Sequence, residues 1–154
     1  MRVVAFDVGE RRIGVAISDA TLTLARPAGV LRPASFDTDA LQLAADEIAR
    51  LGREEDGVSA IVVGLPRRLD GSASEMTERV SVFAAALGRM TQLPIVLQDE
   101  RLTSHEAEIR LAVNEKNWRV RKRRLDAAAA AIILQDYLDG RGDRSAPPAD
   151  EPEV

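Results

Sequence analysis

A chain of 154 residues with 45% apolar content and a formal net charge of −4 is long enough for one domain with a real core and too short for two. It holds no cysteine and one histidine, His105, which excludes a disulfide framework, a thiolate metal site, a cysteine nucleophile and multi-histidine zinc chemistry. No run of about 18 apolar residues occurs, and Met1-Arg2 leads straight into a strand, so neither a membrane span nor a secretory leader is expected and the protein reads as cytoplasmic.

The chain opens as a hairpin: a strand over Val3–Val8, a polar connection "GERR" in which Gly9 is free to take a positive φ, and a strand over Ile13–Ser18. A weaker third strand is expected through Thr23–Leu31, bent at Pro27. A helix follows from about Asp39, with Leu41, Ala44, Ala45, Ile48 and Leu51 as its apolar stripe and Gly52 at its end. The continuous apolar run "SAIVVGLP", Ser59–Pro66, is the pattern of a parallel strand covered on both faces. After the loop "RRLDGSASE" a second helix begins, where Ser72 and Glu75 have capping-box spacing and Val80, Phe83, Ala84 and Leu87 form the buried stripe. Leu93–Arg101, "LPIVLQDER", reads as another buried strand, ending in two acids. A further helix is expected to open at Thr103, again with capping-box spacing to Glu106. The last helix, "LDAAAAAIILQDYLDG", is expected to stop at Gly140. Strands in a meander followed by alternating strands and helices specify an α/β fold: a mixed sheet with an antiparallel N-terminal hairpin, then parallel strands, with helices packed on it.

Charge is unevenly spread. "KNWRVRKRR" holds six basic residues, Lys116, Arg119, Arg121, Lys122, Arg123 and Arg124, and no acid, whereas the tail from Arg141 nets −2 and is rich in Pro, Ala, Asp and Glu. The organisation is therefore one domain over residues 1–140 and a disordered tail over 141–154.

Three carboxylate positions sit where α/β proteins build sites, at carboxyl ends of strands and amino ends of helices. Asp7 ends the first strand on the face of Val3 and Ala5, Asp99 or Glu100 ends the last strand, and Asp126 lies in the expected first turn of the last helix. Hard oxygen ligands without His or Cys suit Mg²⁺ or Mn²⁺. Two such ions about 3.5–4 Å apart can activate water and stabilise the leaving oxygen in phosphodiester hydrolysis.

The blocks "AFDVGERRIGVAISD", "IVVGLPRRLDGSASE", "VLQDERLTSHEAE" and "RLDAAAAAIILQDYLDG" resemble, in order and from about Val3 to Gly140, the motif blocks of the YqgF/RuvX family, whose fold is that of ribonuclease H and the RuvC resolvases. The resemblance implies a ribonuclease H-like sheet with helices on both faces, and a nuclease that processes the 5′ end of pre-16S rRNA in ribosome biogenesis, or one that resolves Holliday junctions in recombination and repair. It also implies that Asp7, Glu100 and Asp126 are the catalytic, metal-holding acids, with Mg²⁺ or Mn²⁺ as cofactor, two ions in all. Between Asp99 and Glu100, adjacent strand residues face opposite ways, so only one can join Asp7; the family match and the longer side chain favour Glu100.

Arg67 and Arg68, after a strand end, are placed to neutralise a phosphate, as is Arg101 unless it pairs with a neighbouring acid. The basic run from Lys116 to Arg124, read as a loop ahead of the last helix, adds sequence-independent phosphate affinity, and Trp118 within it can stack on a base or pack the loop down. Thr103 reads as a helix cap and His105 as an exposed first-turn residue. The expected partners are pre-16S rRNA or branched DNA and ribosomal particles, with no membrane. A junction resolvase would require a homodimer, since two symmetric cuts need two sites. A two-lobed ATPase, which begins with a similar strand, acid and glycine turn, is the weaker alternative because these 154 residues supply one lobe, and a non-catalytic RNA-binding assembly factor is the competing reading of another class.

Overall fold

The computed structural model describes residues 1–35, 39–68, 70–99 and 118–144, with side chains from 127 to 141 in the last segment. Strands β1 (Arg2–Val8) and β2 (Ile13–Ser18) form the expected antiparallel hairpin, with Asp7 opposite Gly14. Gly9 does not take a positive φ. It is needed for a close approach: its N–H donates to the Arg12 carbonyl at 2.8 Å, and a Cβ there would lie 3.1 Å from that same oxygen.

Strand β3 (Ala25–Leu31) adds antiparallel to β2, with a register irregularity between Val15 and Ala16 opposite the Pro27–Gly29 stretch. It starts two residues later than the sequence suggests. The Asp19 carboxylate accepts from the Thr23 and Leu24 N–H groups at 2.8 and 3.2 Å, which commits those residues to a turn.

Helix α1 (Asp39–Gly52) carries the expected stripe, and strand β4 (Val58–Leu65) pairs parallel with β1. Helix α2 (Glu75–Thr91) is capped by Ser74, whose side chain accepts from the Thr77 N–H while the Thr77 hydroxyl accepts from the Ser74 N–H. The box is therefore Ser74/Thr77 and not Ser72/Glu75. Ser72 is occupied elsewhere, its N–H and hydroxyl both donating to Asp70 Oδ1 at 2.9 and 2.7 Å.

Strand β5 (Ile95–Asp99) pairs parallel with β4, and the order of the described sheet is β3-β2-β1-β4-β5. The buried strand expected over Leu93–Arg101 is instead an edge strand of that sheet, with Leu97 44% exposed. Pro94 precedes it, and its carbonyl accepts from the Ile61 N–H.

Helix α3 (Trp118–Arg144) departs most from expectation. It begins seven residues before Leu125 and passes through Gly140. Arg and Lys are good helix formers and no breaker stands between Trp118 and Asp126, so the basic residues from Arg119 to Arg124 are helical and Asp126 lies inside the helix. A glycine costs a helix only about 1 kcal/mol relative to alanine, which the buried stripe of α3 outweighs.

Both sheet faces are covered, which is why β1, β2 and β4 are apolar at successive positions. Val4, Phe6, Val8, Ile61, Val63 and Leu65 pack under α1 and α2. Val3, Ala5, Ala16 and Val62 pack under Ala130, Ile133, Leu134 and Leu138 of α3, each fully buried Leu or Ile contributing about 1.5–3 kcal/mol. Arg2, 6% exposed, fastens the start of the sheet: its guanidinium donates to the Leu51 carbonyl at 3.2 Å, the Gly57 carbonyl at 3.3 Å and the Glu54 carboxylate at 2.9 Å. Among the described residues no helix is long and apolar enough to cross a membrane.

Candidate active site

Asp7 is half-buried at the carboxyl end of β1. Strand alternation puts it on the face of Val3 and Ala5, which α3 covers. Its sheet neighbours have no side chains: Gly14 lies opposite on β2, and continuing the β1–β4 register by one residue past Phe6 and Val63 brings Gly64 beside it. Gly64 in turn pairs with Gln98 on β5. One row of the sheet thus reads Gly14, Asp7, Gly64, Gln98, and Asp7 is the acid in it. Sequence reasoning did not find the two glycines or Gln98, because only the pairing of the strands aligns them.

Asp99 falls on the other face. It pairs with Leu65 and shares the parity of Ile95 and Leu97, the side packed by α1 and α2. There it lines a groove of about 410 Å³ with Leu65, Arg67, Gly71 and Leu97. Glu100 lies outside the described residues, as do Arg101, Thr103, His105 and Lys116.

One side chain anchors α3 to the sheet. Gln135 accepts from the Ala25 N–H and donates to the Thr23 carbonyl, both at 2.9 Å, and Ala25 pairs with Ser18, whose hydroxyl accepts from the Val3 N–H at 2.8 Å. Gln135 therefore marks the start of β1. Position 126 lies nine residues back along the helix from this anchor, a rise of about 13 Å. At 100° per residue, position 126 falls on the sheet-facing stripe of Ala130 and Ile133. Arg119, Arg121, Lys122, Arg123 and Arg124 occupy the first two turns of the same helix.

Arg67 and Arg68 are exposed beyond the end of β4, in a braced loop. The Arg68 N–H donates to the Ser72 carbonyl at 3.0 Å, the Gly71 N–H to the Arg68 carbonyl at 2.8 Å, and the Arg67 guanidinium to the Gly71 carbonyl at 3.3 Å. Asp70 receives the Ser72 hydroxyl and backbone N–H, which hold its carboxyl below the ordinary range. The Thr77 hydroxyl ties this loop back to β4 through the Pro66 carbonyl. The brace orders the loop backbone, and the two cations stand at its start.

Among the described residues no group of three or more His, Cys, Asp or Glu comes together as a metal site. Asp7 is suited to contribute to one: it is a hard oxygen donor at a strand end, and its glycine neighbours leave the sheet row beside it clear of side chains.

Comparison with known proteins settles the family. A family model described as RuvX, Holliday junction resolvase, matches residues 1–140. The chain belongs to the RuvX family. It is 41% identical over 141 residues to a candidate pre-16S rRNA nuclease of Anaeromyxobacter sp. (strain Fw109-5), covering 92% of this chain and 98% of that one. With a protein of the same name from Chloroflexus aurantiacus the identity is 43% over 140 residues, covering 90% of this chain and 87% of that one. The RuvX fold also superimposes on Thermus thermophilus RuvC with a TM-score of 0.53 at 15% identity, covering 93% and 97% of the two chains. A structure of that RuvC with a Holliday junction substrate matches with a TM-score of 0.51, covering 92% of this chain and 96% of the other. At this identity the likeness speaks for the fold, and it agrees with the ribonuclease H-like mixed sheet expected from sequence.

Proposed function

We propose that this RuvX-family chain is a divalent-metal-dependent endonuclease of structured nucleic acid that acts in the cytoplasm on the 5′ end of pre-16S rRNA. The observation that carries the reading is Asp7, held half-buried at the carboxyl end of β1 between Gly14 and Gly64, on the face crossed by the helix that contains Asp126. The names of the relatives, which align along most of the chain, supply the substrate class.

In this reading Asp7, Glu100 and Asp126 hold Mg²⁺ or Mn²⁺. Two bound ions would supply an activated water and neutralise the leaving oxygen. Arg67 and Arg68, with the basic first turns of α3, hold the flanking phosphates and set the register of the strand without reading bases. Ribosomal particles are then the natural setting for a single-site enzyme. The family model's own description favours a second reading, resolution of four-way DNA junctions by a homodimer.

The test presents purified protein and Mn²⁺ with a structured pre-16S RNA and a mobile four-way DNA junction. RNA cleavage is expected to predominate. Asp7→Asn should lower it by more than about 100-fold, beyond the scale on which even the outer partners of metal ligands act, while folding and RNA affinity stay near wild type. Junction cleavage in preference to RNA would select the second reading. An Asp7→Asn protein active within a few-fold of wild type would overturn the catalytic assignment, and tight RNA binding without turnover by the wild type would leave a non-catalytic assembly factor.

A further inference from the structure

The geometry points to Gln98 as the residue that recognises the sugar of the bound strand, contacting a ribose 2′-hydroxyl beside the cleavage centre and so favouring RNA over DNA.

Gln98 shares a sheet row with Asp7, separated from it by Gly64 alone. It shares the parity of Val96, which packs on the α3 side, so its amide projects from the same face as the Asp7 carboxylate. At about 4.8 Å per strand the two backbones lie about 10 Å apart, and Gly64 places no side chain between them. A strand whose reacting phosphate sat at Asp7 and which crossed the row toward the sheet edge would bring the sugar of a flanking nucleotide over Gln98.

The chemistry of the side chain narrows the ligand. Gln98 is half-buried, and among the described residues its amide forms no hydrogen bond, in contrast to Gln135 at the opposite, β3 edge of the sheet, which is fully engaged. Leaving an amide without a partner is unfavourable where water is restricted, so a ligand that satisfies it gains affinity. A phosphate only accepts, so it would satisfy the amide N–H groups and leave the amide oxygen without a donor. A ribose hydroxyl both donates and accepts, as an amide does, and it is the group that separates RNA from DNA.

This inference rests on the nuclease reading, but its test does not need cleavage. Affinities are measured in EDTA for one structured stem-loop made as RNA and as DNA of the same sequence, with the full-length wild type and with Gln98→Leu, which keeps the size and removes both hydrogen-bonding groups. The wild type is expected to favour RNA by about fivefold or more, the scale of one hydrogen bond. Gln98→Leu should lose most of that preference through weaker RNA binding, with DNA affinity unchanged. Gln98→Thr, a good strand former too short to reach, should behave in the same way and serves if the leucine variant does not fold. A wild-type ratio near one, or an equal RNA preference in the variants, overturns the assignment. Failure of the nuclease reading shows separately, as absence of cleavage by the wild type in Mn²⁺.

Discussion

Gly88 in α2 offers a test of how tightly this helix is seated on the sheet. A Cβ at that position would lie 2.8 Å from Ile95 Cγ1, 3.7 Å from Ile95 Cδ1 and 3.7 Å from the Leu93 carbonyl oxygen. Gly88→Ala gains about 1 kcal/mol of helix propensity, whereas forcing a methyl into a filled contact costs about 1–3 kcal/mol. The net expectation is a loss of between about 0 and 2 kcal/mol, and each 1 kcal/mol moves Tm by about 2–4 °C in a chain of this size. Urea unfolding of Gly88→Ala, Ile95→Ala and the double variant separates the two terms. Ile95→Ala removes the clashing Cγ1, so the double variant should be more stable than the sum of the singles by about the steric cost. A single Gly88→Ala that gains the full 1 kcal/mol, with singles that add within about 0.5 kcal/mol, would refute the close approach. The contact also bears on function, because Ile95 opens the strand that carries Gln98.

Asp99 falls on the face away from Asp7: Asp99→Asn should retain metal-dependent cleavage and Glu100→Gln should abolish it, and the reverse pattern in a cleavage assay would show the choice between the two acids to be wrong. Replacing Arg121, Lys122 and Arg123 together with alanine should weaken binding to many sequences alike and flatten the salt dependence of log affinity by up to about three units, with the rate at saturating substrate changed far less; an unchanged slope would move the nucleic-acid path to the Arg67 and Arg68 side. The backbone N–H of Thr23, and then that of Leu24, hold the Asp19 carboxyl below its ordinary range. A depressed folded-state value contributes stability that is complete above the unfolded value and is lost as pH falls through the folded one. Asp19→Asn should therefore unfold at lower urea than wild type at pH 7, with the gap closing below about pH 4.

How much of this was legible beforehand depended on whether the signal was periodic or local. The apolar runs Val3–Val8 and Ile13–Ser18 on either side of a polar turn, the unbroken run through Ile61–Leu65 and the stripe Ala44, Ile48 and Leu51 gave strands, helix and fold class, because burial on one or two faces is written in residue spacing. What failed to show was local competition for hydrogen bonds. Asp19 draws Thr23 and Leu24 out of β3, and Asp70 engages Ser72 so that Ser74 becomes the cap. The start of α3 was hidden because Arg and Lys carry no cap signal, and their charge reads equally as loop or helix. At the site, the face of Asp7 followed from alternation, but the row Gly14, Asp7, Gly64, Gln98 needed the alignment of three neighbouring strands with β1, which a single sequence does not display.

The amide of Gln135 has a mechanical meaning. Gripping one donor and one acceptor at the foot of the sheet, it acts as an index pin: turning α3 by a single residue would swing the amide through 100° and break both bonds. A rigid helix carries an angle along its length as faithfully as a shaft carries rotation. The pin therefore fixes the azimuth of position 126, two and a half turns away, and with it the bearing of the basic turns beyond. Position 126 and the basic turns are thus set on one axle, whose rotation is fixed where Gln135 grips the start of β3.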